Sequence, residues 1–185
     1  MKKLLLLLLA LNLTVLITQA QTTTEWTNGI GNQAWNEAGN WDNGVPDATK
    51  LALIQITPGP IISSPGALAK NIDMNSPGEL FIQATGAVTV SGPSGFNGGK
   101  ITVDGSQAKA VFESLLTIQN DGKMVITNGG EVDIKNNNTL NLNSGADVTV
   151  DQGTLLISGR LEIFGTGTTF NHTGGDVTVG ATITK

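Results

Sequence analysis

Between Leu116 and Ser158 the sequence repeats every eight residues, reading NDGKMVIT, NGGEVDIK, NNNTLNLN and SGADVTVD, followed by a seven-residue QGTLLIS. Each cluster of Asn, Asp, Gly or Ser leads into an apolar-polar-apolar triplet, giving the pairs Leu116/Ile118, Met124/Ile126, Val132/Ile134, Leu140/Leu142, Val148/Val150 and Leu155/Ile157. Alternation places both apolar members on one face of a short strand and Val125, Asp133, Asn141 or Thr149 on the other. Because eight is even, every unit sends its pair to the same side. Gly and Asn tolerate positive φ and turn the chain between strands. Strands this short bury little alone and must stack on their neighbours. Three octads make a coil of about 24 residues, whose strands pair with those of the next coil roughly 4.8 Å along the axis. The pattern predicts an all-β chain folded as a parallel β-helix, or β-solenoid. An antiparallel meander is the competing reading, since NDG and NGG also close hairpins. A meander would need a second layer over its apolar face, and the sequence offers no helix for that purpose.

The 185 residues include 24 Gly, no Cys and 14% charged side chains, which bounds the chain to one small β domain. A net charge of -5 argues against nucleic-acid or anionic-membrane partners, both of which attract basic stripes. Met1-Lys2-Lys3, the leucine run that follows and Thr18-Gln19-Ala20 read as a secretory signal peptide over residues 1–20, cleaved after Ala20. The apolar core is short of the roughly 20 residues a membrane span needs and contains Asn12 and Thr14, so no membrane insertion is expected after cleavage. An exported product without cysteine has neither disulfides nor a lipid-modified cysteine, and relies on stacked backbone hydrogen bonds.

Residues 21–66 differ in character, holding all three tryptophans, Trp26, Trp35 and Trp41, and several prolines. One reading is a cap. The first coil of a β-helix exposes an open core and unpaired edges, which bulky aromatics would cover. The other is an aromatic platform for sugar rings, with Asn36, Asn40 and Asp42 as hydrogen-bonding partners; the tight Asn-Trp-x-x-Gly-x-Pro turn before Leu51 favours the cap. The spacing of Trp26, Trp35, Asn36, Ala38, Asn40, Trp41, Gly44, Val45, Pro46 and Asp47 resembles the N-terminal segment of exported β-helical surface proteins of Bacteroidetes and of autotransporter-type adhesins. The resemblance covers about thirty residues and implies a secreted or cell-surface location. Such proteins often end in a type IX sorting domain or a translocating barrel, neither of which is recognisable here.

Prolines between Thr57 and Pro65 mark loop or edge. The solenoid repeats are assigned to residues 67–185, with Leu80/Ile82, Val88/Val90 and Ile101/Val103 in register. Gly92 to Gly99, GPSGFNGG, interrupts the octad, and Gly105 to Ser114 makes a second excursion. Insertions in solenoids become loops on one side, where binding tends to reside, so Ser94, Phe96 and Asn97 are a candidate recognition loop. After Ser158 the units loosen, through Leu161/Ile163, Phe170 and Val177/Val179, and strand-like sequence runs to Lys185, as expected of the N-terminal portion of a longer or truncated protein.

Polysaccharide-cleaving β-helices use clustered acids with a basic partner, often with calcium. Here the one histidine, His172, lies in a loop, and the one arginine, Arg160, at a turn. Asp133 with Asp151, and Asp104 with Asp121, are the carboxylate pairs that could meet, but isolated surface carboxylates are usually solvating. Gly129-Gly130-Glu131 and Gly174-Gly175-Asp176 are fragments of a calcium-binding nonapeptide, so no catalytic residue, cofactor or metal is expected. Outward Thr117, Thr127, Asn141, Asn143 and Thr149 raise an ice-binding alternative, which Asp133, Lys135 and Asp151 spoil by interrupting a regular array. The expectation is therefore a non-enzymatic structural or adhesive module contacting surface glycans or other extracellular proteins. The alternative is a carbohydrate-binding or polysaccharide-degrading β-helix.

Overall fold

The computed structural model describes residues 21–185, so the leader expected at residues 1–20 lies outside the described residues. The chain enters on β1 (Thr22–Glu25) and passes through the tryptophan segment, which holds one 3-10 turn at Ala38–Asn40. The first coil is β2 (Lys50–Ile54), β3 (Ile61–Ile62) and β4 (Ala67–Ala69). The second is β5 (Asn71–Asn75), β6 (Glu79–Gln83) and β7 (Ala87–Val90). The third is β8 (Ser94–Asn97), β9 (Lys100–Asp104) and β10 (Lys109–Phe112). The fourth is β11 (Leu116–Gln119), β12 (Lys123–Thr127) and β13 (Glu131–Ile134). The fifth is β14 (Leu140–Leu142), β15 (Asp147–Asp151) and β16 (Gly153–Ile157). The sixth is β17 (Leu161–Ile163), β18 (Thr169–His172) and β19 (Gly175–Val179), after which β20 (Ile183–Thr184) rejoins the first wall.

Each strand pairs with the strand one coil away, so the chain builds three walls. The first runs β1-β2-β5-β8-β11-β14-β17-β20, the second β3-β6-β9-β12-β15-β18 and the third β4-β7-β10-β13-β16-β19. All strand pairings are parallel, which makes the chain a β-solenoid and removes the meander. The octad corners explain why. In Asn128-Gly129-Gly130 the first two residues have φ of 52° and 85°, and a Cβ on the third would stand 2.4 Å from the Val103 carbonyl oxygen of the coil below. Two left-handed residues bend the chain through the corner, and the glycine lets it settle on its neighbour.

The apolar pairs stack like on like. Leu116 lies over Leu140, Ile118 over Leu142, Met124 over Val148 and Val132 over Leu155, all fully buried. Each such side chain contributes about 1.5–3 kcal/mol through burial. Coil length is not constant. Contacts between adjacent coils span 20 residues from Gln55 to Asn75, 22 from Ile72 to Ser94 and 24 from Met124 to Val148, returning to 22 at Asp147–Thr169. Corners absorb the difference while the inward register holds. The first coil also closes earlier than the periodicity indicates: β3 is the edge strand that the prolines around it foreshadow, and β4 completes the triangle before Asn71.

The largest correction concerns the two interruptions. Ser94–Asn97 is strand β8, not a recognition loop: Ser94 and Phe96 face the core and are buried, and only Asn97 is exposed. Pro93 has no N–H to donate, and side chains replace the missing ladder bonds. The Ile72 N–H donates to Ser94 Oγ at 3.0 Å, and Asn71 Nδ2 donates to the Pro93 carbonyl. Likewise Gly105 to Ser114 contains β10, whose Ala110 and Phe112 point inward. Phe96 and Phe112 meet edge to face at 6.1 Å, both fully buried in the core.

At the same seam Asp73 lies over Gly95, whose N–H donates to its Oδ1 at 3.2 Å. Burial pushes the Asp73 carboxyl above its ordinary 3.8, and that hydrogen bond pulls the other way. The folded state therefore binds this proton more tightly than the unfolded chain does. Stability from this group is greatest at low pH and falls as pH rises from about 3.8 through the raised value. Asp73→Asn keeps the acceptor without the charge, so its urea midpoint should exceed that of the unsubstituted protein at pH 7, with the gain fading below about pH 4. Phe96→Ala should cost about 3–5 kcal/mol in urea unfolding, whereas a surface-loop position would cost under about 0.5 kcal/mol.

Candidate functional site

The tryptophan segment closes the first coil. Trp41 sits between the other two indoles, edge to face with Trp26 at 5.1 Å and with Trp35 at 5.0 Å. All three are buried, at 1%, 3% and 4% exposure. Trp26 Nε1 donates to the Pro58 carbonyl at 3.0 Å and Trp41 Nε1 to the Trp35 carbonyl at 2.8 Å, while Trp35 Nε1 is buried without a partner. The polar residues proposed as sugar contacts divide. Asn40 is fully buried and braces the segment, donating from Nδ2 to Asn32 Oδ1 at 2.7 Å and to the Ala34 carbonyl at 3.0 Å, and accepting the Ile30 N–H on Oδ1. Asp42 accepts the Glu25 N–H at 2.6 Å and fastens β1 to the turn. Asn36 alone of the set is free on the surface. The three indoles are buried and pack edge to face on one another, so the arrangement is a plug and not an open stacking platform.

The plug also covers sheet edges. β1 pairs with β2, and the Ile61 N–H donates to the Gln33 carbonyl at 2.7 Å while the Trp35 N–H donates back to Ile61 at 3.1 Å. Beside this lies a cleft of about 210 Å³ between Trp35–Asn36, Val45–Asp47 and the β3–β4 corner, residues 61–68. Its rim is fixed at Asp47, whose carboxyl is held below its ordinary value by the Thr49 hydroxyl and N–H, at 2.6 and 2.8 Å.

The carboxylates weighed for catalysis are not brought together. Asp133 lies on the third wall, beside Lys109 at 3.9 Å and Lys135 at 3.7 Å, and Asp151 lies on the second wall against Thr173. Asp104 is bonded to Asn128 at one corner, whereas Asp121 stands beside Gly145 at another. His172 faces the Gly175 carbonyl at 3.0 Å, and Arg160 pairs with Glu162 at 3.9 Å. Among the described residues no three metal-ligating side chains converge. The threonines of the ice-binding alternative are dispersed: Thr117 stacks with Asn141, Thr149 with Val125, and Thr127 between Asp104 and Asp151.

A second concavity, of about 360 Å³, opens at the corner that follows the first wall and is lined by Gln119, Asn120, Asn143, Ser144, Phe164 and Gly165. Below it runs a ladder of amides. Asn120 Nδ2 donates to Asn97 Oδ1, Asn97 to Asn75, Asn75 to Gln55 and Gln55 to the Glu25 carboxylate, at 2.5, 3.2, 3.1 and 3.1 Å. Composition places Asn97 in a loop, and nothing in the repeat pattern singles out Gln119, Ser144 or Phe164. The sequence signal for the ladder is the recurrence of an amide at Gln55, Asn75 and Asn97, at near-coil spacing.

Comparison with family models, with curated proteins and with solved structures found no match. The buried indoles should emit at short wavelength and resist acrylamide and soluble glycans alike in fluorescence quenching. Trp41→Ala should lower stability by about 3–5 kcal/mol, and Asn36→Ala by under about 0.5 kcal/mol with emission unchanged.

Proposed function

We propose that this chain is an exported, non-enzymatic β-solenoid module that acts as a structural and adhesive element at or outside the cell surface. The observation that carries the reading is the continuity of three parallel walls above a plugged first coil. Such a stack holds a fixed length without disulfides and presents its outward side chains in straight files. The chain as a whole carries 14% charged residues and a net charge of -5, consistent with contact to glycans or extracellular proteins and not to nucleic acid. Glu131 and Asp133 are engaged by Lys109 and Lys135, and Asp147 and Asp151 by the hydroxyls of Thr169 and Thr173, which supports a structural over a hydrolytic role. The lysine-leucine leader and the Trp/Asn/Pro spacing after it, which resembles exported Bacteroidetes and autotransporter-type surface proteins, support export.

Expression of the full chain with a C-terminal tag in a Gram-negative host tests this. The expected product begins at Gln21, leaves the cytoplasm, and when coated on beads promotes attachment to glycan- or protein-covered surfaces. It should release neither reducing nor unsaturated ends from polysaccharides. Retention of the uncleaved chain in the cytoplasm, or steady release of sugar ends, would overturn the proposal.

A further inference from the structure

The corner at Phe164 is a shallow, open recess, and we propose that it binds a neutral pyranose unit of a glycan; this rests on the adhesive reading above and names its ligand class. Three coils contribute. The Asn143 N–H donates to the Ile118 carbonyl at 2.9 Å and the Phe164 N–H to the Leu142 carbonyl at 2.7 Å, so Gln119, Asn143 and Phe164 rise in one file. Backbone pairing spaces that file at about 4.8 Å per coil, a step that fits within the span of one sugar ring. At the top Phe164 is 44% exposed, whereas Phe96 and Phe112 are fully buried and Phe81 and Phe170 are half-buried. An exposed ring offers a flat apolar face to the C–H side of a pyranose.

Beneath the ring the polar groups are uncommitted. The side chains of Gln119, Asn143 and Ser144 make no hydrogen bond among the described residues. Gly165 keeps the serine open, since a Cβ there would stand 2.4 Å from Ser144 Oγ. The amide ladder ends in this recess with a fixed polarity. Each linking amide N–H donates toward Glu25, so the last carbonyl, Asn120 Oδ1, receives no donor among the described residues, and Asn120 lines the recess. Aligned hydrogen bonds polarise one another and strengthen the terminal acceptor. The recess therefore offers one strengthened acceptor, two amides that both donate and accept, a hydroxyl and an aromatic face. Adjacent hydroxyls on a sugar, each donor and acceptor, match that set. A phosphate or a uronate does not, because no lysine or arginine lines the recess and the whole chain carries a net charge of -5. The volume of about 360 Å³ suits one or two sugar units on an open surface.

Affinity electrophoresis of the purified full-length exported protein, in gels containing mannan, galactan or β-glucan with alginate as the anionic contrast, tests the site. Retardation by at least one neutral polysaccharide and none by alginate is expected. Phe164→Ala should weaken it at least about tenfold, Phe164→Trp should preserve it, and Leu68→Ala, an exposed apolar residue elsewhere, should leave it unchanged. Matching thermal melts for Phe164→Ala and the unsubstituted chain exclude unfolding as the cause. Absence of retardation by any neutral polysaccharide, or equal retardation of Phe164→Ala, would overturn the site. Bead attachment that persists in that case leaves the adhesive reading standing, whereas loss of attachment together with retardation removes both.

Discussion

Every strand in this protein finds its hydrogen-bonding partner one full coil away, and the rest of the structure answers to that constraint. A segment of three to five residues cannot satisfy its own backbone or bury its own side chains, so no coil exists apart from its neighbours. The requirement sets what each position tolerates. Inward residues must be apolar and stack on apolar residues; corner residues must accept left-handed φ or a backbone within van der Waals contact; outward residues carry little constraint and hold nearly all the charge. The plug follows from the same rule, because the first coil has no coil beneath it and its edges and core opening must be covered by something else. Trp26, Trp35 and Trp41 fill the opening, while β1 and the Gln33–Trp35 backbone take two of the three edges.

Where the sequence repeats strictly, as from Leu116 to Ser158, the architecture is legible to the residue, because an even repeat of alternating apolar pairs admits one inward face. It is least legible at β8 and β10. Proline, glycine and serine around Phe96 look like a loop by composition, yet Ser94 and Phe96 alternate with Gly95, and Ala108, Ala110 and Phe112 alternate in the same way. The serine hydroxyl does what a backbone group does elsewhere. Composition misleads there because a side chain has entered the ladder, which residue propensities do not register.

The recess at Phe164 was illegible for a different reason. Its residues are near in space only because coils of unequal length bring positions 119, 143 and 164 into one file, and those lengths are fixed by corners whose conformations the repeat pattern leaves open. The Trp residues show the converse. Their identity and spacing stand out in the sequence, and burial turns them from a candidate display into the closure of the rod.

The plug has one more consequence. It fixes the zero of the stack, while the identical pitch of every coil makes height above it a counted quantity. Gain or loss of one coil between the plug and Phe164 would move that corner by a single increment of roughly 4.8 Å, preserving its chemistry but altering its reach. A chain of this kind is a ruler whose graduations can be added or removed without altering the surface that any one coil presents.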